Sequence, residues 1–131
     1  MKIQRLSLDS NFIDGKCRYP TEYTGIQIFL DDGSAIRFGI DTQQSCCESW
    51  DYLHTDGIDP DDYVGAEFVS ATEIDTWPTD IENPCKYGFD GGGYQAIRVV
   101  TSVGEFDCVV YNAHNGYYSH AVIFNDTVSY L

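Results

Sequence analysis

The chain has 131 residues, of which 21 are Asp or Glu and seven are Lys or Arg, giving a formal net charge of -14. Its length fits one domain, residues 1–131, and 43% hydrophobic residues with 15% aromatics exclude a disordered chain. A negative surface of this size argues against binding to naked nucleic acid or anionic membranes and favours a basic partner, although solubility alone would also explain it.

The number of cysteines and the N-terminal stretch give information on the cellular compartment of the protein. MKIQRLSLDSNF contains no apolar run long enough for a signal peptide or a membrane span. Five cysteines is an odd number, which does not suit a framework of paired disulfides. We therefore expect a cytoplasmic protein whose thiols are reduced and either buried or bound to metal.

The first predicted element is a β-hairpin in TGIQIFLDDGSAIRFGID, residues 24–41. Apolar residues alternate with others along both arms, as in Ile26, Ile28 and Leu30. Asp32-Gly33 between the arms supplies the positive φ angles that a tight hairpin turn needs.

A short helix is predicted in IDPDDYVG, residues 58–65. Asp59 is placed to cap it, and Pro60 suits the first helical position. The carboxylates of Asp61 and Asp62 complement the positive end of the helix dipole, and Gly65 can end the helix.

The remaining elements are predicted strands. AEFVSATEID (66–75) precedes a connection rich in Pro and Gly, and YQAIRVVTS (94–102), EFDCVVYNA (105–113) and SHAVIFND (119–126) follow it. The sequence thus predicts an α+β domain whose antiparallel-dominated sheet has about six or seven strands with one or two short helices.

The adjacent cysteines Cys46 and Cys47 are the first candidate for chemistry. On a regular strand they would point to opposite faces, so they can share one zinc ion only if the chain turns there. Burial as small apolar side chains is the competing interpretation. A thiol- or metal-dependent enzyme is a second hypothesis, although no local signature of a nucleophile accompanies the pair. Other potential ligands are His54, Cys85, Cys108, His114 and His120.

Acidic residues are the second candidate. The aspartates between 56 and 62 lack the alternating ligands and closing Glu of an EF-hand, so helix capping explains them better than calcium. Glu105 and Asp107 would lie roughly 6.6 Å apart on one face of a strand, close to the spacing of successive phosphates. The sequence therefore allows mimicry of nucleic acid by an acidic surface.

Three short motifs of the sequence are similar to motifs of a known family: QSCCES, DDYVGAEFVSATE and NGYYSHAV. They resemble a family of small uncharacterised proteins from bacteriophages and their mostly Gram-positive hosts, over most of the chain from Gly25 onward. Thr42 and His120 depart from that family's pattern, which has a His and a Glu there. The matching residues are Gln44, Cys46, Cys47, Glu48, Asp62, Val64, Gly65, Asn115, Gly116, Tyr117, Tyr118 and Ser119.

The resemblance implies a phage or mobile-element gene, and small acidic phage proteins include anti-CRISPR inhibitors. It therefore favours a non-enzymatic inhibitor of a basic nucleic-acid-handling effector such as a Cas9-type protein, which holds its duplex in a positively charged channel. An immunity or structural module for a basic partner is an alternative. Zinc would be held by Cys46, Cys47 and His114. The expected partner-binding residues are Asp51, Asp56, Asp59, Asp61 and Asp62.

Overall fold

The computed structural model describes residues 1–14, 20–43, 49–114 and 119–131, and the described chain forms nine β-strands and one 3₁₀ turn. The strands are β1 (Ile3–Asp14), β2 (Thr21–Leu30), β3 (Ala35–Asp41), β4 (Ser49–His54), β5 (Phe68–Ile74), β6 (Gly93–Thr101), β7 (Gly104–Ala113), β8 (Ala121–Phe124) and β9 (Thr127–Tyr130). The 3₁₀ turn, Pro60–Tyr63, lies between β4 and β5. Among these residues, no helix has the length and apolar character needed to cross a membrane.

The predicted α+β class is wrong, because the described chain is nearly all β and contains no α-helix. The predicted N-cap is confirmed: Asp59 caps the turn, and its side chain accepts a hydrogen bond from the Asp61 N–H at 3.1 Å. The turn stops after four residues, and none of them is buried. A short helix gains most of its stability from packing an apolar face, and of this turn only Tyr63 packs against the core.

The strands form two antiparallel sheets, with order β1-β2-β3-β8-β9 in the first and β4-β7-β6-β5 in the second. The predicted hairpin is confirmed as β2 and β3, with Gly33 at φ 87° in its turn. The predicted strands at β5, β6, β7 and β8 are also present. Strands β1, β4 and β9 were not predicted.

The main core lies between the two sheets and takes apolar side chains from both. Fully buried members include Ile26, Ile28 and Phe38 of the first sheet and Ile97 and Val110 of the second. A smaller cluster covers the outer face of the second sheet, where Ile81 of the β5–β6 connection packs on Ala96 and Val109. This connection therefore acts as a third layer over part of the sandwich.

Cys108 lies in the main core, where the Tyr52 hydroxyl donates a hydrogen bond to its Sγ at 3.5 Å. Burial, with smaller contributions from the charges of Asp107 and Asp9, raises the pKa of the Cys108 thiol from 9.0 to about 12, although the Tyr52 hydrogen bond opposes the shift. Burial also raises the pKa of Tyr52. A thiol with these surroundings is a packing group rather than a nucleophile.

We expect the protein to lose stability as the pH rises from 9 to 12. The unfolded chain releases the Cys108 proton near pH 9, whereas the folded chain keeps it until about pH 12. The stabilisation is complete below pH 9 and is lost as the pH approaches 12. Urea unfolding across this range should show a shallower decline for Cys108→Ala, while Val110→Ala, which also removes buried atoms, should keep the wild-type slope. Equal slopes in both variants would contradict the assignment.

Candidate functional site

A groove of about 480 Å³ lies on the outer face of the second sheet, between strands β4 and β7 and the β5–β6 connection. We call it the acidic groove, because four of its nine lining residues are carboxylates. It is lined by Asp51, Leu53, His54, Asp56, Asp80, Ile81, Glu82, Pro84 and Tyr111.

The sheet side of the groove follows from strand register. Asp51 pairs with Tyr111 and Leu53 pairs with Val109, so these side chains share one face of the β4–β7 pair. That face is turned away from the main core, whose β4 member is Tyr52. Alternation along β4 therefore places one carboxylate and one apolar side chain on the same wall.

The opposite wall is the connection of residues 75–92, which is fixed to the sheet by aromatic packing. Trp77 contacts the rings of Phe89, Tyr94 and Tyr111 at centroid distances of 6.0, 5.4 and 6.1 Å. The Trp77 indole N–H also donates to the Ile81 carbonyl oxygen at 2.6 Å. These contacts hold a chain segment without regular structure against β6 and β7.

Thr55 joins the two walls. Its hydroxyl donates to Asp80 Oδ2 at 2.9 Å and accepts from the Asp107 N–H at 3.0 Å. The Thr55 N–H donates to the Asp107 carbonyl oxygen at 3.0 Å. One hydroxyl thus ties the Asp80 carboxylate of the connection to the backbone of β7.

His54 lies at the rim and links the groove to the first sheet. Its Nδ1 is 2.8 Å from the Thr55 carbonyl oxygen, and its Nε2 is 3.2 Å from Asp9 Oδ2. Both partners only accept hydrogen bonds, so both bonds form together only when each ring nitrogen carries a proton. In that state His54 offsets part of the negative charge at the rim.

The lining combines a negative rim with an apolar floor. The carboxylates of Asp51, Asp56, Asp80 and Glu82 belong to exposed residues, whereas Ile81 and Tyr111 are buried. This arrangement suits a cation with an aliphatic stem, such as a Lys or Arg side chain, which buries its methylenes and leaves its charge at the rim.

The five aspartates expected to bind a partner do not form one surface. Asp51 and Asp56 line the groove, whereas Asp59, which caps the 3₁₀ turn, and Asp61 and Asp62 within the turn are not among its lining residues. Asp80 and Glu82 were missed by sequence reasoning. The acidic stretch TDIE inside the Pro-rich connection could have indicated them, but no local sequence pattern shows that this stretch lies beside β4.

The prediction that Glu105 and Asp107 imitate two successive phosphates is wrong for Asp107. Asp107 is buried, and its carboxylate accepts two hydrogen bonds from Arg98, from Nε at 2.9 Å and from Nη2 at 3.2 Å. A carboxylate in a bidentate pair with arginine offers little charge to a partner.

The predicted zinc ligands Cys46 and Cys47 lie outside the described residues. The third, His114, is buried at the end of β7, where its backbone bridges to Asp90. Within the described ranges no three His, Cys, Asp or Glu side chains form a group suited to a metal ion. Zinc stays a prediction of the sequence.

Comparison with known proteins gives a family match over most of the chain. A family model described as "Domain of unknown function (DUF7448)" matches residues 2–124. No curated protein and no solved structure matches the chain.

Proposed function

The chain belongs to the family of that domain of unknown function, DUF7448, and from its charge and its groove we propose that it is a non-enzymatic acidic inhibitor of a basic protein. The observation that carries the proposal is the acidic groove, which places four carboxylates around apolar side chains. A basic side chain of the partner would enter the groove, with its stem on Leu53 and Ile81 and its charge at the rim.

The partner we propose is a basic nucleic-acid-handling effector, most specifically a Cas9-type protein. Such effectors hold the guide–target duplex in a positively charged channel. A chain with a net charge of -14 would approach this channel quickly at low salt, and docking there would block DNA loading or cleavage. The inhibitor would act in the cytosol of the host cell. Zinc held by Cys46, Cys47 and His114 stays part of the proposal, tested by metal analysis of the purified protein.

Neutralising the groove is expected to weaken inhibition strongly. A variant with Asp51→Asn, Asp56→Asn, Asp80→Asn and Glu82→Gln should bind the effector roughly tenfold or more weakly, because close charge pairs at an interface are lost. DNA cleavage by several Cas9-type effectors, measured with increasing amounts of each variant, checks this result.

The matched control changes the same number of charges elsewhere. Asp31→Asn, Asp61→Asn, Asp62→Asn and Glu105→Gln alter exposed residues that do not line the groove. This control should keep most of the inhibition, with somewhat slower association at low salt. Equal loss in both variants would mean that overall charge, not the groove, makes the contact. Uninhibited cleavage by every effector with the wild-type protein would sink the proposal, and a pull-down would then test for a basic toxin as the partner.

A further inference from the structure

Strand β9 (Thr127–Tyr130) lies at one end of the first sheet, and all four of its residues are exposed. In the described part of the chain its strand partner is β8 alone. A strand with one partner leaves a row of N–H and C=O groups along its other side.

The hydrogen bonds of the β8–β9 pair show which groups those are. His120 and Leu131 exchange both backbone hydrogen bonds, each 2.9 Å long, just beyond the paired residues. Hydrogen-bonded and non-hydrogen-bonded pairs alternate along an antiparallel ladder, so Ser129 bonds to β8 and its two neighbours do not. The N–H and C=O groups of Val128 and Tyr130 therefore point away from β8.

Two of the other three end strands, β1 and β5, carry protective devices that β9 lacks. Strand β5 carries a bulge and has Glu73 on its inner face, opposite Ile97. Strand β1 has two register shifts, and the backbone of residues 65–68 bonds to its start. Charges, bulges and covering segments are among the means of keeping a sheet edge from pairing. Strand β9 is regular and uncharged.

A second groove, of about 420 Å³, runs beside β9 between the two sheets. Phe124 and Ser129 line it from the first sheet, and Gln95 and Glu73 line it from the second. Ser129 Oγ donates to Gln95 Oε1 at 3.0 Å and so connects β9 to the second sheet. A strand added to β9 would direct every other side chain toward this groove.

We propose that β9 binds an extended basic segment of a partner protein, which adds to the first sheet as a further strand. Its backbone bonds to Val128 and Tyr130, and a Lys or Arg side chain enters the second groove, lays its stem beside Phe124 and pairs with Glu73. Charge favours this occupant over a second copy, because a second copy brings another net charge of -14 to the same edge. The site is separate from the acidic groove and goes beyond the proposed function.

The test uses the full chain and an acetylated heptapeptide of alternating Val and Lys as the probe. Backbone amide exchange followed by NMR should slow about tenfold or more at Val128 and Tyr130 when the peptide is added, and little at Ser129, which already bonds to β8. A peptide of the same charge, N-methylated at alternate residues on its bonding edge, should give no protection. N-methylation of the other alternate residues should leave protection intact.

Two variants keep the test independent of the acidic groove. Val128→Pro removes one outward N–H without touching a bond to β8, so the peptide should bind about tenfold more weakly, whereas Val128→Ala should bind like wild type. The four-residue variant of the acidic groove should also keep the protection. Equal binding of both N-methylated peptides would mean charge attraction only and would overturn the proposal. Protection at Val128 that rises with protein concentration without peptide would make a second copy the occupant and would also overturn it.

Discussion

Replacing Gly25 with Ala is expected to lower the free energy of unfolding by about 3 kcal/mol or more, because the new methyl group has no room. Gly25 pairs with Gly39 across the β2–β3 ladder. A Cβ at position 25 would overlap the Phe38 carbonyl oxygen and lie 2.6 Å from the Gly39 Cα. Both obstacles are backbone atoms, so relief requires the two strands to move apart at the centre of the first sheet.

A matched strand glycine separates this clash from a general effect of adding a methyl group. A Cβ at Gly93 of β6 would meet only Leu131 Cδ2, at an ordinary 3.7 Å. Gly93→Ala should therefore leave stability nearly unchanged or raise it slightly, since alanine restricts the unfolded chain. Urea unfolding of both variants checks the difference, and two equally stable proteins would contradict the steric argument.

Elements with strong local signals were predictable from the sequence. The alternation around Asp32-Gly33 predicted the hairpin, and Asp59-Pro60 predicted the cap, although the helix expected after it is only a four-residue 3₁₀ turn. Strand β1 was missed because its buried residues Ile3 and Leu6 are three apart, across a register shift between Ile3 and Arg5. A bulge breaks the period of two on which strand prediction depends.

The candidate site was only partly predictable, because it is built by contacts between distant segments. The sequence singled out Asp51 and Asp56, but Asp80 joins them through contacts distant in sequence, among them its hydrogen bond with Thr55, 25 positions away. The register of β4 against β7 brings Tyr111 opposite Asp51, and no local pattern specifies that pairing. The net negative charge could therefore be predicted from the composition, whereas the position of the carboxylates around apolar side chains could not.

Truncation of Trp77 to Ala is expected to release the β5–β6 connection and to destroy the acidic groove while the sandwich stays folded. The ring of Trp77 contacts three other aromatic rings, and its N–H donates to the Ile81 carbonyl oxygen. Truncating a fully buried Trp to Ala lowers the free energy of unfolding by about 3–5 kcal/mol. Because Trp77 is only half-buried, we expect its truncation to cost about 2 kcal/mol. The loss falls on residues 75–92, whose attachment depends on these contacts.

Release of the β5–β6 connection alone can be distinguished by experiment from unfolding of the whole chain. Limited proteolysis should cut Trp77→Ala within residues 75–92 much faster than wild type, while amide exchange in β2, β3 and β7 stays slow. Trp77→Phe keeps most of the ring contacts and loses only the N–H donor, so it should lie between the two. Inhibition of the proposed effector should fall in the same order, because Asp80, Ile81 and Glu82 form the wall that the variant releases. Parallel acceleration of exchange in every strand would instead make Trp77 part of the global core and leave the groove intact until the whole chain unfolds.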